Sequence, residues 1–380
     1  MKKNDFYFLL KLFVGWRLIL FFFLFLAIRT IPLQQNFLGG RMANYLANPW
    51  LWAWVNFDGE HYLAIAREGY RALTYFFFPV YPMIVKALAI VGGFGRPDFL
   101  ATVGLLISNI SFLIGLVGLY KLARLDYSEK SAKLTILLLL LFPTSFFFGS
   151  FYTESLFLAL SVWSFYFARR GNYLVAGILG GVSTATRIVG LALIPALVLE
   201  ASKTGKKDIL QKTVGILLVP LGLLIYMYYL KLATGNPFEF LSTITVFGEQ
   251  RSSEIVLLPQ VFFRYFFKIL PNLNYSSWPS VFTTFLEIAT ATVFFVLAII
   301  SFLKIRLSYA VYFLIAYLIP TFSGSFSSFP RYAVILFPAF ILGASLINSR
   351  PKILRGLISI ILFITLAIAC MLFVRGYWIS

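Results

Sequence analysis

Residues 12–31 read LFVGWRLILFFFLFLAIRTI, an apolar run long enough to cross a lipid bilayer as one helix. It reaches Pro32 without the small-residue pattern of a signal-peptidase site, so we expect an uncleaved first helix. Comparable runs recur at roughly 98–121, 132–149, 153–168, 172–200, 214–233, 281–303, 308–323, 332–348 and 356–374. The pattern predicts an all-α polytopic membrane protein, one domain over residues 1–380 with about 10–11 transmembrane helices.

The composition excludes several other classes of protein. Only 12% of the 380 residues are charged, whereas a soluble domain carries about 25%. The net charge of +18 does not indicate nucleic-acid binding, because Lys and Arg lie mostly in short clusters between apolar runs. One cysteine, Cys370, and one histidine, His61, exclude a disulfide framework and a Cys/His zinc site. A carboxylate-held divalent cation stays open.

The basic clusters predict the topology, because cytoplasmic loops of membrane proteins are enriched in Lys and Arg. They comprise Lys2, Lys3 and Lys11; Arg124, Lys130 and Lys133; Arg169 and Arg170; Lys203, Lys206, Lys207 and Lys212; Lys304 and Arg306; and Arg350, Lys352 and Arg355. The N-terminus is therefore expected in the cytoplasm. Two long segments, 32–97 and 234–280, are then expected on the outer side, with interfacial helices in the first and at 257–270 in the second.

This topology requires two segments not to cross the membrane as single helices. Segment 77–93 contains Pro79, Pro82 and Lys86, so we interpret it as dipping into the membrane or lying in the interface. A full crossing, which would place the basic cluster at 124–133 outside, is the alternative there. Segment 172–200 is flanked by basic residues at both ends, which favours a broken hairpin with Arg187 near its tip. A single long tilted helix is the alternative there.

The candidate chemistry begins in the first outer segment, where Asp58, Glu60 and His61 closely follow a tryptophan-rich stretch. Burial at a membrane interface would raise the pKa of Asp58 and suit it to act as a general base. The alternative is a solvated Asp that caps the helix after it. Glu60 is a second acid, a metal ligand or a solvated helix residue, and His61 is a base, a substrate contact or a packed interfacial side chain.

Three further residues are candidates for substrate binding. Arg187 within an apolar segment indicates a functional site, such as one for a lipid-linked phosphate, or a structural Arg on backbone carbonyls. Arg331 at the outer end of a helix is a phosphate ligand or an interface anchor. Glu154 opens a helix near the outer face, where the helix dipole alone would also favour an acid.

Several motifs together carry a family resemblance. They are FDGEHYLAIAREGY at 57–70, FFPVYP at 77–82, PTSFFFGSFYTESLF at 143–157, ATRIVG at 185–190, PRY at 330–332 and FP at 337–338. In this order, over roughly residues 50–340, the chain resembles the PIG-V family, the GPI mannosyltransferase 2-like enzymes of the GT-C glycosyltransferase superfamily. Family members commonly carry Trp-Asp where this chain has Phe57-Asp58, a departure that changes packing beside the acid but keeps the acid.

The resemblance implies a GT-C-like bundle and an inverting transferase that takes a sugar, with mannose favoured, from a polyprenyl-phosphate donor. It implies Asp58 as catalytic base, Arg187 and Arg331 as phosphate ligands, and a glycan, lipid or protein as acceptor. The further substrate-binding candidates are Glu60, His61, Tyr62, Glu154 and Tyr332. The membrane would be the plasma membrane of a prokaryote or the endoplasmic reticulum of a eukaryote.

Two other functions stay open. A secondary transporter or flippase of a lipid-linked or anionic substrate would also contain an intramembrane Arg and a broken hairpin, although we find no internal repeat. A non-enzymatic assembly or scramblase-like protein would not need Asp58 at all.

Overall fold

The computed structural model describes residues 2–35, 41–90, 96–203, 205, 208–242, 251–252 and 254–379, which contain helices and no β-strand. In chain order the helices are α1 (Lys3–Thr30), α2 (Arg41–Ala47), α3 (Pro49–Trp52), α4 (Asp58–Glu68), α5 (Val80–Ala89), α6 (Pro97–Asp126), α7 (Glu129–Leu141), α8 (Glu154–Arg169), α9 (Tyr173–Thr184), α10 (Leu193–Lys203), α11 (Ile209–Leu218), α12 (Leu221–Thr234), α13 (Glu239–Ser242), α14 (Leu258–Arg264), α15 (Trp278–Lys304), α16 (Leu307–Thr321), α17 (Phe329–Ala333), α18 (Phe337–Asn348) and α19 (Lys352–Phe373). Parts of both outer segments, and Lys206 and Lys207, lie outside the described residues.

Among the described residues, five stretches are long and apolar enough to cross a membrane: Lys3–Thr30, Pro97–Asp126, Ile209–Thr234, Trp278–Lys304 and Lys352–Phe373. Four shorter apolar helices accompany them, namely α5, α9, α16 and α18. The chain is therefore an all-α integral membrane protein, as predicted. Several of the predicted spans are divided, since Pro220 lies between α11 and α12 and a 3₁₀ turn at Ser145–Gly149 follows α7.

Neither of the two segments that the topology treats as irregular forms a single long helix in the structure. Helix α5 has 10 residues and rises only about 15 Å, half of a hydrocarbon core of about 30 Å. Segment 172–200 divides into α9 and α10, with Arg187 in extended backbone and a 3₁₀ turn at Ile188–Ala192 between them. These lengths agree with a non-crossing α5 and with a break at Arg187.

Glycines allow the first half of this broken segment to pack closely on its neighbour. A methyl group at Gly177 would overlap the carbonyl of Gly215 on α11, and one at Gly181 would lie 2.8 Å from the carbonyl oxygen of Leu218. Small residues at this four-residue spacing let two helix backbones approach each other. The contact fixes the position of α9, and so the start of the segment that leads from the end of α9 to Arg187.

Charged side chains mark the two ends of the bundle. At one end, Arg169 Nη1 lies 2.7 Å from Asp126 Oδ2, and Arg306 Nε lies 2.5 Å from Glu200 Oε1. These ion pairs join α6, α8, α10 and the start of α16 next to four of the basic clusters. Glu154 begins α8 at the opposite end, about 22 Å from Arg169 along the helix axis. The candidate site is therefore separated from this basic end by the length of α8.

Candidate active site

Two strained turns present the acid and the arginine at the centre of the site. Phe57 has φ = 53° and precedes Asp58, and Ser328 has φ = 65° and lies three residues before Arg331. Non-glycine residues seldom adopt positive φ, and such strain persists where surrounding contacts enforce it. Helix α4 begins at Asp58 with Phe57 as its N-cap and without a side-chain cap, so Asp58 is not the helix cap.

Buried hydrogen bonds hold both turns. The Asn56 side chain accepts from the Phe57 N–H at 2.9 Å and donates to the carbonyl of Phe373 at 3.3 Å. The Tyr152 hydroxyl donates to the Asn56 carbonyl at 2.7 Å. The Thr144 hydroxyl donates to the carbonyl of Pro330 at 2.7 Å. Segment 143–157 thus holds both turns in place through hydrogen bonds. Its motif therefore has a structural role at the site, although most of its residues are apolar.

A chain of ion pairs runs through the site. Arg331 Nη1 lies 2.5 Å from Asp58 Oδ2, and Arg331 Nε lies 3.4 Å from Glu154 Oε1. Arg187 Nη1 lies 2.6 Å from the same Glu154 oxygen and donates to the hydroxyl of Thr153 at 3.0 Å. Asp58 and Glu154 are therefore linked through Arg331, and the structure brings together four residues from four distant parts of the sequence.

The pKa of Asp58 differs from the sequence-based expectation. Burial alone would raise it, but the charge of Arg331, with smaller contributions from His61 and Arg251, holds the pKa below its usual value. The expectation of a raised pKa was wrong, because it did not include the buried Arg331. Asp58 is thus ionised in this state, and Arg331 makes it a weak proton acceptor.

Glu154 is fully buried, and only one of its two carboxylate oxygens has a partner among the described residues. Its Oε1 contacts both guanidinium groups, whereas Oε2 has no hydrogen-bond partner among the described residues. A buried acceptor without a partner costs about 1–3 kcal/mol and needs an explanation. Oε2 belongs to a residue that lines the cavity described below, where a ligand can supply the missing donor.

Three arginines lie close to the ring of Tyr332, and one of them, Arg251, was not among the candidates that the sequence predicts. The guanidinium carbons of Arg187, Arg331 and Arg251 lie 5.0, 5.4 and 5.9 Å from the Tyr332 ring centroid. Arg251 also donates to the carbonyl of Ser327 at 3.0 Å. The available signal was a basic residue in the outer segment 234–280, away from the cytoplasmic clusters. Tyr152 was also missed, because a buried Tyr in an apolar motif resembles core packing.

The other acidic-stretch residues are distributed around α4. Tyr62 lines the same cavity as Asp58. Glu60 lines a different cavity with Arg67 and Glu68, so the second acid beside Asp58 is Glu154. His61 stacks on Phe77 with centroids 4.9 Å apart, and burial lowers its pKa despite the nearby Asp58 charge.

These side chains line a cavity of about 100 Å³. Its lining comprises Asp58, Tyr62, Phe76, Phe78, Tyr152, Glu154, Thr186, Arg187, Ile188, Val189, Phe240, Leu241, Arg331 and Tyr332. Charged groups converge on one part of the lining, and apolar side chains form the rest. Such a cavity suits a ligand with an anionic group and a polar group attached to an apolar part.

A larger apolar groove of about 830 Å³ lies beside this cavity. It runs between α4, α5, α9 and the α11–α12 pair, and its lining includes Ile65, Val80, Met83, Ile178, Val182, Leu218, Leu221 and Ile225. The two spaces adjoin at Phe78–Val80 and at Ala185–Thr186, where the Val80 N–H donates to the Ala185 carbonyl at 3.4 Å. An apolar chain in the groove would thus lead to the arginines.

The described residues form no defined ligand set for a divalent cation. Within the described part of the chain, no three His, Cys, Asp or Glu side chains gather as metal ligands. Asp58 and Glu154 instead bind guanidinium groups, so we assign no step to a cation.

The family model described as Mannosyltransferase (PIG-V) matches residues 6–247. The GPI mannosyltransferase 2 of Yarrowia lipolytica (strain CLIB 122 / E 150) is 35% identical over 98 residues, which are 26% of this chain and 28% of that protein. The match thus spans less than a third of that relative. The motif-based resemblance to the PIG-V family is confirmed by the family model.

Two solved structures of the Archaeoglobus fulgidus oligosaccharyltransferase are also similar. The apo form has a TM-score of 0.49 at 14% identity and matches 98% of this chain and 56% of that chain. The complex with an inhibitory peptide and a dolichol-phosphate has a TM-score of 0.47 at 14% identity, with 100% and 57% covered. This chain thus covers little more than half of those proteins, and we draw no function from similarity of this degree.

Proposed function

The chain belongs to the PIG-V mannosyltransferase family, whose model matches residues 6–247, and on this premise we propose that it is an inverting glycosyltransferase that acts on the outer, non-cytoplasmic side of its membrane. It transfers mannose from a polyprenyl-phosphate donor to an acceptor hydroxyl. The observation that carries the proposal is the cavity in which Asp58 and Glu154 meet Arg331 and Arg187 beside an apolar groove. The orientation follows from the basic clusters at the other end of the bundle.

The reaction is a single displacement. The acceptor oxygen forms a bond to the anomeric carbon as the bond from that carbon to the phosphate oxygen breaks, and polyprenyl phosphate leaves. Asp58 takes the proton of the acceptor hydroxyl, a role that contributes about 10²–10⁴-fold to the rate. The configuration at the anomeric carbon is inverted.

The arginines hold the donor phosphate. Three guanidinium groups (Arg187, Arg251 and Arg331) lie around the Tyr332 ring, and two of them pair with the carboxylates of Asp58 and Glu154, so that these five charged groups have a net charge of +1. A cationic site attracts an anionic headgroup, and fixed cations stabilise the charge that develops on the leaving phosphate.

Donor binding also prepares the base. A phosphate that shares Arg331 weakens the Asp58–Arg331 pair, and the burial of Asp58 then raises its pKa. The carboxylate becomes a stronger proton acceptor only when the donor is in place. Asp58 can therefore have a lowered pKa in the free protein and still act as a general base once the donor is bound.

The donor's other parts match the remaining spaces. The apolar groove takes the first isoprene units of the lipid, since its lining is mostly apolar and it adjoins the arginines. A hydroxyl of the sugar donates to Glu154 Oε2, which has no partner in the described chain. Glu154 is thus a positioning residue for the sugar, while Arg187 fixes its other oxygen.

The experiment is mannose transfer by the purified full chain from polyprenyl-phosphate mannose, comparing wild type with Asp58→Asn. We expect a loss of about 10²–10⁴-fold in kcat. Glu60→Gln is the matched control, since it removes an acid two residues away that lines a different cavity, and it should retain activity. Undiminished transfer by Asp58→Asn would remove Asp58 from the mechanism. Movement of the intact lipid-linked sugar across vesicles without transfer would favour the flippase alternative.

A further inference from the structure

A cleft between α1, α3 and α6 contains an arginine that the proposed reaction does not use. The cleft has a volume of about 440 Å³ and shares no described lining residue with the cavity at Asp58 or with the apolar groove. Among its described lining residues, Arg17 is the only charged one, and Asn48, Thr102 and Asn109 are polar. Arg17 belongs to the stretch Lys3–Thr30, which is long and apolar enough to cross the membrane. A charged side chain there is costly and indicates a binding site.

Arg17 has no counter-ion in the part of the chain that the structure describes. Arg169, Arg187, Arg306 and Arg331 each pair with a carboxylate. None of the described carboxylates forms an ion pair with Arg17. Its Nη1 atom is buried and also has no hydrogen-bond partner among these residues. A buried charge is costly unless it is paired and hydrogen-bonded, so Arg17 needs a partner that a ligand can supply.

Aromatic rings hold the guanidinium of Arg17 in place without cancelling its charge. Its carbon atom Cζ lies 4.6 Å from the ring centroid of Phe21 and 4.6 Å from that of Trp54. Phe21 is one turn further along α1, so the side chain is directed toward the end of the bundle that holds the candidate site. A methyl group at Gly149 would overlap Nη1, so this glycine leaves the room that the guanidinium needs. The position is thus built around a cation.

Asn109 offers a complementary polar atom in the same cleft. Its side-chain amide donates to the carbonyl of Leu105 at 2.7 Å, which turns Oδ1 away from that carbonyl. Oδ1 is buried and has no partner among the described residues. The cleft therefore presents a guanidinium that needs an anionic oxygen and an amide oxygen that needs an O–H or N–H donor. A phosphodiester whose headgroup has a hydroxyl group supplies both.

The surroundings of the cleft favour a lipid over a soluble anion. Leu18 on α1, and Leu106 and Ile110 on α6, are all more than half exposed, as expected of side chains that face acyl chains. Trp50 at the rim is 47% exposed, and its ring centroid lies 6.2 Å from that of Phe21. Tryptophan is enriched where a membrane meets water. A phosphate at Arg17 would thus have its headgroup near this boundary and its acyl chains along α1 and α6.

We propose that this cleft binds one anionic phospholipid of the surrounding membrane, with its phosphate at Arg17 and a headgroup hydroxyl at Asn109. The lipid is neither donor nor acceptor and is not consumed. It neutralises the cation that stacks on Trp54. The Trp54 carbonyl accepts from the Phe151 N–H at 2.8 Å, and Trp54 lies four residues before Asp58. The bound lipid therefore stabilises two of the segments that form the candidate site.

The first test counts bound lipid by native mass spectrometry of the purified full chain with phosphatidylglycerol or phosphatidylcholine. Phosphatidylglycerol has the phosphate and the hydroxyl groups, whereas the headgroup of phosphatidylcholine is zwitterionic and has no hydrogen-bond donor. We expect the wild type to prefer phosphatidylglycerol by at least about tenfold, and Arg17→Met and Asn109→Leu to lose most of this preference. Arg29→Met is the matched control and should bind like the wild type, since Arg29 on the same helix also stacks on a ring but is exposed.

Three results of this test would overturn the proposal. They are equal binding of the two lipids by the wild type, an equal loss in Arg17→Met and Arg29→Met, and displacement of phosphatidylglycerol by glycerol phosphate. The last result would assign the cleft to a soluble anion, because glycerol phosphate has no acyl chains.

The second test measures thermal unfolding in nanodiscs of phosphatidylcholine alone or of an equimolar mixture with phosphatidylglycerol. In phosphatidylcholine alone, Arg17→Met should unfold at the same temperature as the wild type or higher, because it removes an unpaired buried charge. In the mixture, the midpoint of the wild type should rise by about 3–6 °C while that of Arg17→Met stays unchanged.

A midpoint of Arg17→Met that is lower than that of the wild type by the same amount in both lipids would overturn the proposal. Arg17 would then serve only to pack on Phe21 and Trp54. Neither test measures sugar transfer, so failure of this inference and failure of the proposed function are distinguishable.

Discussion

The pair between Asp58 and Arg331 should contribute to folding stability as well as to chemistry, and a double-mutant cycle measures both parts. The side chains are 17% and 6% exposed, and the atoms Arg331 Nη1 and Asp58 Oδ2 lie 2.5 Å apart. Removing one partner of a buried ion pair costs about 3–5 kcal/mol, because the other charge is left buried. We expect a cost in this range for Arg331→Gln, which removes a cation from both Asp58 and Glu154.

Asp58→Asn should cost less, about 1.5–3 kcal/mol, since Arg331 keeps Glu154 at 3.4 Å. The double variant should cost less than the sum of the single variants, with a coupling energy of about 1–3 kcal/mol. The assay is unfolding in mixed micelles followed by tryptophan fluorescence, with the same lipid composition for every variant.

A matched control is the exposed pair between Lys133 Nζ and Glu129 Oε1, also 2.5 Å apart but with side chains 34% and 48% exposed. Its coupling energy should stay below about 0.5 kcal/mol, because water screens it. Additive effects of Asp58→Asn and Arg331→Gln, or a larger cost for Asp58→Asn than for Arg331→Gln, would refute the buried-pair account.

Three further predictions concern pH, the sugar and the bundle. The stability contributed by Asp58 should be complete above about pH 4 and lost as the pH falls through its lowered pKa, so wild type and Asp58→Asn should converge in unfolding assays at low pH. When mannosyl donors that each lack one hydroxyl are compared, the removal of one particular hydroxyl should lower kcat/KM about tenfold with the wild type but little with Glu154→Gln. Equal losses for every deoxy donor in both proteins would contradict the Oε2 assignment. Gly177→Ala should destabilise the bundle by about 1–3 kcal/mol through its clash with the Gly215 carbonyl, whereas Gly15→Ala, with open space around it, should be nearly neutral.

Patterns with a local cause were predictable from the sequence. Apolar runs and basic clusters predict the helical membrane class, and the break at Arg187 follows from the basic residues at both ends of its segment. Gly177 and Gly181 also have the structural role that their spacing predicts. Asp58, Arg187 and Arg331 were selected by motif, and the structure brings them to one cavity.

The partners of these residues depend on contacts far apart in the chain and were not predictable in this way. Asp58 and Arg331 are separated by 273 positions, so neither their pair nor the lowered pKa of Asp58 can be read from local sequence. The separation of Glu60 from Asp58 had a local signal: residues two apart on a helix point about 200° away from each other, so Glu60 and Asp58 do not share a face. Glu154 takes the place beside Asp58 because α8 begins at the same end of the bundle.

The configuration of the new glycosidic bond tests the central claim most directly. A single displacement with Asp58 as base requires the product to have the anomeric configuration opposite to that of the donor, which NMR of the product of wild-type transfer determines. We predict complete inversion, and slow but still inverted transfer by Asp58→Asn. Retention of configuration would require a covalent nucleophile in the cavity and would contradict the account, as would the absence of any glycosidic product.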